Sequence, residues 1–278
     1  MASIVGLQAM RDRYAPPDAE GTALYVRSPA FVKRAMLSYR SLAADVYWMR
    51  ALQHYGRTRL QQGGRKRYDL LFPILDLATT LDPNFTIAYR FGAIFLAEPP
   101  PGGAGRPDQA IALLQKGLDA QPSRWQYAQD IGFVHYWWKH DYQEAARWFL
   151  RAAEIPGSPG WMKGLAAVTE AKHGDRATSR RLWTGILESA DEEWLRAQAQ
   201  FRLRQLQAMD EIEALEAVAR RYHERTGSWP RTWAAIVRRI PADPDGFAYQ
   251  LNPDTGAVTL DRASTVNPLP LDERTARR

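Results

Sequence analysis

The sequence contains no cysteine, and this absence excludes disulfide scaffolds, thiol catalysis and cysteine-based zinc sites. It also lacks any uninterrupted apolar run of about eighteen residues, so we expect no membrane-spanning helix. The first residues, MASIVGLQAMRDRY, have too short an apolar run for a secretory signal. We therefore expect a protein that is cytoplasmic or peripheral to the cell envelope, or one whose anchor lies outside this sequence.

Motifs for catalysis or cofactor binding are missing as well. There is no H-E-x-x-H and no G-x-S-x-G, the five histidines do not share a metal-ligand spacing, and GGAGRP (102–107) lacks the G-K-[ST] end of a phosphate loop. His140-Asp141 suggests an acid–base pair, but Asp141 stands where it would cap the following helix. We expect no enzyme, no cofactor and no metal site.

The net charge of +6 is concentrated in one segment. Residues 50–68 contain six basic residues and no acidic residue, whereas residues 69–278 contain 25 basic and 27 acidic residues and are close to neutral. The candidate basic patch is Arg57, Arg59, Arg65, Lys66 and Arg67. A solvated loop is the simpler interpretation, since runs of charge usually are solvated. No aromatic residues are interleaved there for base stacking, which weakens an interpretation as an RNA-binding site. An anionic membrane or an acidic partner would suit the patch equally well.

Three segments share one pattern: DLLFPILDLATTLDPNFTIAY, QAIALLQKGLDAQPSRWQYA and YQEAARWFLRAAEIPGSPGWM. Each has apolar residues at helical spacing, a small residue late in the helix, then a proline, then an aromatic residue that opens the next helix. The small residues are Ala78, Gly117 and Ala152. The prolines are Pro83, Pro122 and Pro156, and each predicts the end of a helix because proline disfavours helix at the preceding residue.

This pattern resembles the tetratricopeptide repeat (TPR) family over about residues 43–190. The first unit matches at Trp48, Tyr55, Leu75, Ala78 and Pro83. The second matches at Tyr89, Gly92, Ala110, Leu114, Gly117 and Pro122. The third matches at Gly132, Ala145, Phe149 and Ala152. A fourth, weaker unit has Trp161, HGD at 173–175 as its turn, and Trp183, and a fifth helix pair is expected at roughly 192–207 and 210–225.

The resemblance implies an all-α fold, a right-handed TPR-like α-solenoid. Most rings of GFVHYWWKHDYQEAARWFLRAA (132–153) are then core residues. By the family's geometry, the partner-binding groove should present Arg50, Gln53, Arg90, Gln129, Tyr136 and Trp137. Ile94 stands where the carboxylate clamp of other TPR proteins needs Asn, so the binding of chaperone tails is not expected.

From about residue 217 the character of the sequence changes. FAYQL and AVTL are short alternating runs joined by NPDTG, which predicts a hairpin. The segment resembles the C-terminal modules of type IV pilins and type II secretion pseudopilins, without the apolar N-terminal helix of a pilin. A C-terminal cap for the repeat array is the simpler interpretation, and the two are compatible.

We therefore expect an N-terminal extension (1–29), a TPR-like array (30–225), a small α+β cap (226–263) and a flexible tail (264–278). The expected function is binding: a protein–protein interaction scaffold or adaptor of a bacterial multiprotein assembly, related to pilus or secretion machinery. Its partner would be a helix or an extended peptide in the groove. The alternative is a nucleic-acid- or anionic-membrane-associated protein that uses the loop 57–67.

Overall fold

The structure, a computed structural model, describes residues 37–61 and 66–270. Of these residues 66% are helical, and the described sheet is a single pair of short strands. The expectation of an all-α fold with one C-terminal hairpin is therefore confirmed. The chain divides into two compact units, the first ending at Val134 and the second beginning at His135.

The first unit contains a 3-10 turn, Leu37–Tyr39, and five helices. These are α1 (Arg40–Leu60), α2 (Leu71–Leu81), α3 (Thr86–Ala97), α4 (Pro107–Ala120) and α5 (Trp125–Val134). Consecutive helices pack against each other, and α2 also contacts α4 while α3 contacts α5. The odd-numbered helices therefore form one layer and the even-numbered helices another.

The prolines end their helices as predicted. Pro83, Pro122 and Pro156 each lie two residues beyond the last helical residue, and the residue before each proline is non-helical. At Asp82 and Gln121 the backbone N–H bonds back to the carbonyl of Ala78 or Gly117, which closes the last turn. The small residues Ala78, Gly117 and Ala152 thus lie in the last turns of their helices.

The small residues permit close contact between helices. A Cβ at Gly92 would lie 2.9 Å from Cδ2 of Leu75, and a Cβ at Gly117 would lie 3.0 Å from Cδ1 of Tyr89 and 3.2 Å from Cε1 of Tyr127. The Tyr89 and Tyr127 rings meet edge to face with centroids 5.4 Å apart. Gly117 is therefore the point at which two rings of the odd layer reach α4.

The insert 99–106 is not a flexible loop as its composition suggests. Gly103 is buried, and the backbone N–H groups of Ala104, Gly105 and Arg106 donate to carbonyls of α3 and Glu98. The Tyr55 hydroxyl donates to the carbonyl of Gly102 (2.8 Å). The segment is docked on the first unit because its backbone groups find partners there.

The second unit begins with a π-helical turn, His135–Lys139. It continues with α6 (Tyr142–Glu154), α7 (Trp161–His173), α8 (Arg176–Ser189) and α9 (Glu193–Thr226). As predicted, Asp141 caps α6 by accepting a hydrogen bond from the backbone of Glu144 (3.0 Å). The turn predicted at HGD (173–175) is also confirmed, because Gly174 has a φ of 96° and Asp175 caps α8.

The predicted fifth helix pair is wrong. One helix of 34 residues, α9, covers the whole region. The sequence from 193 to 226 contains neither Gly nor Pro, so nothing local ends the helix. Its first half packs on α8, and its later residues carry the C-terminal cap.

The cap has a 3-10 turn, Trp233–Ala235, and the hairpin of β1 (Gln250–Leu251) and β2 (Val258–Thr259). Its core gathers six buried residues, which are Ala208, Trp233, Tyr249, Val258, Leu260 and Val266. The expected flexible tail is wrong for residues 264–270. Val266 is fully buried, and the Gln205 side chain donates to the carbonyls of Val266 (2.9 Å) and Pro268 (2.8 Å).

We predict that Gly117→Leu lowers the free energy of unfolding by about 1–3 kcal/mol, because the added side chain must displace Tyr89 and Tyr127. Gly185→Ala is the control. Gly185 lies in α8 with nothing near its Cβ position, so alanine should stabilise the helix by about 0.5–1 kcal/mol. Urea denaturation of both variants gives the comparison, and unchanged stability of Gly117→Leu would mean that the packing is misassigned.

Candidate functional site: an exposed apolar face

Two helices of the first unit expose large apolar side chains. The exposed fractions on α1 are 61% for Leu42, 42% for Val46 and 52% for Met49. Those on α3 are 53% for Ile87, 52% for Phe91 and 44% for Ile94. We call these six residues the apolar face. Single exposed apolar residues are ordinary, but contiguous groups mark interaction sites.

The six residues lie on one side of the odd-numbered layer. Helices α1 and α3 run in the same direction. The Trp48 ring lies 6.1 Å from Phe85, just before α3 begins, and 6.1 Å from Phe95. Tyr55, two turns later on α1, stacks on Phe95 with centroids 4.1 Å apart, and its hydroxyl donates to Glu98 (3.3 Å), just after α3 ends. On each helix the exposed residues follow a spacing of four and then three, opposite the buried residues. The two strips therefore lie side by side and face away from the even-numbered layer.

Two arginines flank the apolar face on α1. The guanidinium of Arg50 lies over the Tyr47 ring, 5.5 Å from its centroid, and Arg57 is exposed. Within residues 37–61 and 66–270 neither has a carboxylate at ion-pair distance. Gln53, a predicted groove residue, is exposed between them and the apolar strip. The flank of this face is positively charged.

Arg90, by contrast, is not available as a binding cation. It forms a bidentate pair with Asp130 on α5, with Nε–Oδ2 at 2.5 Å and Nη2–Oδ1 at 3.0 Å. The hydrogen bonds that Arg90 donates to Asp130 raise the pKa of Arg90. Burial raises the pKa of the Asp130 carboxyl, and the guanidinium opposes this effect. The pair joins α3 to α5, so its function is structural.

Gln129 is also not part of a groove surface, because only 8% of it is exposed. Tyr136 and Trp137 belong to the second unit, whereas the other four predicted groove residues belong to the first. Of the six predicted groove residues, Arg50 and Gln53 are the two that lie beside the apolar face.

The rings at Tyr136 and Tyr142 surround a lysine of their own unit. Nζ of Lys172 lies 4.4 Å from the centroid of each ring and donates to the Tyr136 hydroxyl (2.9 Å). Burial opposes the charge of Lys172, but the two hydroxyls outweigh it and raise the pKa of the lysine. Tyr136 is therefore occupied, whereas the neighbouring Trp137 is 59% exposed.

Most of the described basic patch is engaged in local contacts. Arg59 donates to the Tyr55 hydroxyl (2.7 Å) and lies 3.9 Å from Glu98. Lys66 donates to the backbone carbonyls of Arg59 (2.5 Å) and Pro101 (3.4 Å), and Arg67 pairs with Asp69 (3.3 Å). Arg65 lies outside the described residues. Arg59 and Arg67 therefore have a carboxylate nearby, whereas Lys66 contacts backbone carbonyls and keeps its charge.

In the described part of the chain no group of three or more His, Cys, Asp or Glu side chains is arranged to hold a metal ion. Nδ1 of His135 lies 3.9 Å from Oδ2 of Asp141, which is too long for a hydrogen bond, and Asp141 serves as a helix cap. No described helix is both long and apolar enough to cross a bilayer.

Comparisons with protein-family models, with curated proteins and with solved structures found no match to this chain. The resemblances to TPR proteins and to pilin modules therefore stay predictions.

Sequence reasoning missed five of the six residues of the apolar face and named Ile94 only as a departure from a clamp. The signal was present: each helix carries two apolar stripes, one for the core and one at residues 42, 46 and 49 or 87, 91 and 94. A helix with a second apolar side has a second surface that is stabilised by burial against another element or a partner.

We predict that Arg90→Leu lowers the free energy of unfolding by about 1–2 kcal/mol, because it leaves a largely buried Asp130 acceptor without its partner. The cost stays below that of a fully buried pair because 39% of the Arg90 side chain is exposed. The double variant Arg90→Leu, Asp130→Leu should recover most of the loss. Denaturation of the two single variants and the double variant measures the coupling, and additive losses would contradict the assignment.

We further predict that Lys172→Met lowers the free energy of unfolding by about 1 kcal/mol, through loss of the two ring contacts. Lys163→Met is the control, since Lys163 is an exposed lysine of the same helix. Its substitution should change stability by less than about 0.5 kcal/mol. Equal effects in thermal melting would show that the rings do not hold Lys172.

Proposed function

We propose that this protein is a protein–protein interaction scaffold whose apolar face binds an amphipathic helix. The observation that carries the proposal is the exposure of three large apolar side chains on each of two parallel, adjacent helices. Two such strips side by side suit the apolar side of a helix, which presents side chains at the same spacing of three and four. Burying this surface is favourable because it removes apolar area from water.

The charges at the edge narrow the class of partner. Arg50 and Arg57 lie beside the apolar strip of α1 and have no acidic partner among the described residues. A helix with acidic residues at the border of its apolar stripe would complement them. Electrostatic complementarity of this kind contributes to orientation and to association rate more than to affinity.

The finer assignment to a right-handed TPR-like solenoid is part of this proposal. Its support is the helix pairing of the first unit and the packing of Gly92 and Gly117 at the predicted positions. The pilin-like C-terminal segment directs the proposal toward an adaptor of bacterial envelope machinery, for pilus or secretion assembly. The alternative, nucleic-acid or anionic-membrane binding by the loop 57–67, has less support because Arg59, Lys66 and Arg67 are engaged in local contacts.

The test uses a defined probe, a fluorescein-labelled amphipathic helical peptide with a leucine face bordered by glutamates. We expect it to bind more tightly than a scrambled peptide of the same composition. Phe91→Ala should weaken binding by about 2 kcal/mol, or roughly 30-fold, as for a central anchor of an interface. Fluorescence polarisation gives both dissociation constants.

Trp194→Ala is the matched control, because Trp194 is an aromatic residue of the second unit with a similar exposed fraction, 56% against 52% for Phe91. It should leave binding unchanged. If the scrambled peptide binds as well, or if Trp194→Ala weakens binding as much as Phe91→Ala, the apolar face is not the binding site.

A further inference from the structure

A second basic region lies where α9 passes into the cap. Residues 219–240 contain six arginines and one glutamate, a net charge of +5 with histidine neutral. The near neutrality of residues 69–278 as a whole conceals this segment, because acidic residues elsewhere balance it. The arginines are Arg220, Arg221, Arg225, Arg231, Arg238 and Arg239.

The C-terminal half of this segment forms an open depression of about 490 Å³ on the cap. Apart from Arg238 its lining is aliphatic: Ala234, Ala235, Ile236, Val237 and Ile240. The Ile240 side chain is 63% exposed, and both alanines are exposed. Exposed aliphatic side chains thus lie beside polar groups within the most basic part of the cap.

Arg238 lines the depression, and the exposed arginines of the segment are free to meet an external anion. Arg231, Arg238 and Arg239 are exposed, and no carboxylate of the described residues lies within ion-pair distance of them. The acidic residues that follow are already engaged. Asp243 accepts hydrogen bonds from the backbone of Asp245 and Phe247, and Asp245 lies 3.6 Å from Arg204.

The depression is held in shape from beneath. Nε1 of Trp233 donates to the carbonyl of Tyr249 (2.8 Å), and Ile236 and Val237 pack against the core of the cap. The surface is therefore preorganised, which lowers the entropic cost of binding.

The chemistry of the exposed groups favours lipid over nucleic acid. Single-stranded nucleic acids are bound by exposed rings on which bases stack. Both tryptophans of this segment are engaged, since Trp233 is buried and Trp229 stacks on His223 with centroids 4.2 Å apart. What remains exposed at the depression is aliphatic side chains and Arg238, with Arg231 and Arg239 exposed in the same segment. Exposed aliphatic side chains and basic residues are the combination found where proteins lie on an anionic membrane.

We propose that Arg231, Ala234, Ala235, Arg238, Arg239 and Ile240 form a cap face that binds an anionic lipid surface. Ile240 and the two alanines would enter the boundary between headgroups and acyl chains, and the three arginines would pair with lipid phosphates and carboxylates. This face is distinct from the apolar face of the first unit and does not depend on the function proposed for it.

The experiment is sedimentation of the full chain with vesicles of phosphatidylcholine alone or with about 30% phosphatidylserine, an anionic lipid of the kind that attracts basic segments. We expect binding to the anionic vesicles only, weakening as salt is raised. Each arginine near such a surface contributes roughly a fivefold change in partition coefficient, so the triple variant Arg231→Gln, Arg238→Gln, Arg239→Gln should lose roughly a hundredfold. Ile240→Ser alone should weaken binding at every salt concentration.

Two matched variants serve as controls. Arg231→Lys, Arg238→Lys, Arg239→Lys keeps the charge and should keep binding. Arg57→Gln, Lys66→Gln, Arg67→Gln removes the same charge from the first unit and should leave binding unchanged. Thermal melting of each variant establishes that it is folded, as expected for substitutions at exposed or half-buried positions.

Three results would overturn the proposal. The first is absence of binding to the anionic vesicles by the unaltered chain. The second is loss of binding in the first-unit triple variant but not in the cap variant. The third is that a labelled oligonucleotide binds and depends on the three cap arginines while the vesicles do not, which would identify the cap face as a nucleic-acid site.

Discussion

The close approach of the two helix layers in the first unit is the constraint on which the rest of its structure depends. Gly92 and Gly117 allow Leu75, Tyr89 and Tyr127 to occupy space that a side chain would fill. With the inward sides of α3 and α4 in contact, the outward side of α3 and that of α1 beside it cannot reach the core. Their apolar residues are consequently left on the surface, and the apolar face follows from the packing.

The functional interpretation turns on which polar groups the fold already uses. Arg90 pairs with Asp130, Lys172 lies against the rings of Tyr136 and Tyr142, and Arg59 contacts Tyr55 and Glu98. In the sequence each of these residues looks like a binding group. In the structure each already has a partner within its own unit. The groups that remain are of a different kind: aliphatic and aromatic side chains with arginines at their borders.

The second unit is organised by α9. Its N-terminal half completes a helical core with Trp183 and Leu195, and its middle residues carry the cap through Ala208 and Gln205. A single uninterrupted helix therefore joins two cores within this unit. Because the cap is fixed by a buried tryptophan and by residues 264–270, its basic depression is a defined surface.

Signals within a few residues of each other were enough to determine much of this protein. Proline determines where α2, α4 and α6 end. Asp141 and Asp175 cap the helices that follow them, and NPDTG forms the turn of the hairpin. The spacing of apolar residues gave the helical core, including the glycines at close contacts. These features have local causes, such as a missing N–H, a short acceptor side chain or a tight turn.

Only the tertiary structure decided which charges and rings are free. The partner of Arg90 lies forty residues away, and that of Tyr136 lies thirty-six residues away, so no local pattern reports either contact. The continuity of α9 likewise depends on what packs along it, since the turn expected near residue 208 falls where Ala208 and Met209 are buried. The apolar face is visible in the sequence as a second apolar stripe on two helices. Whether that stripe contacts another helix or solvent depends on how the helix layers pack.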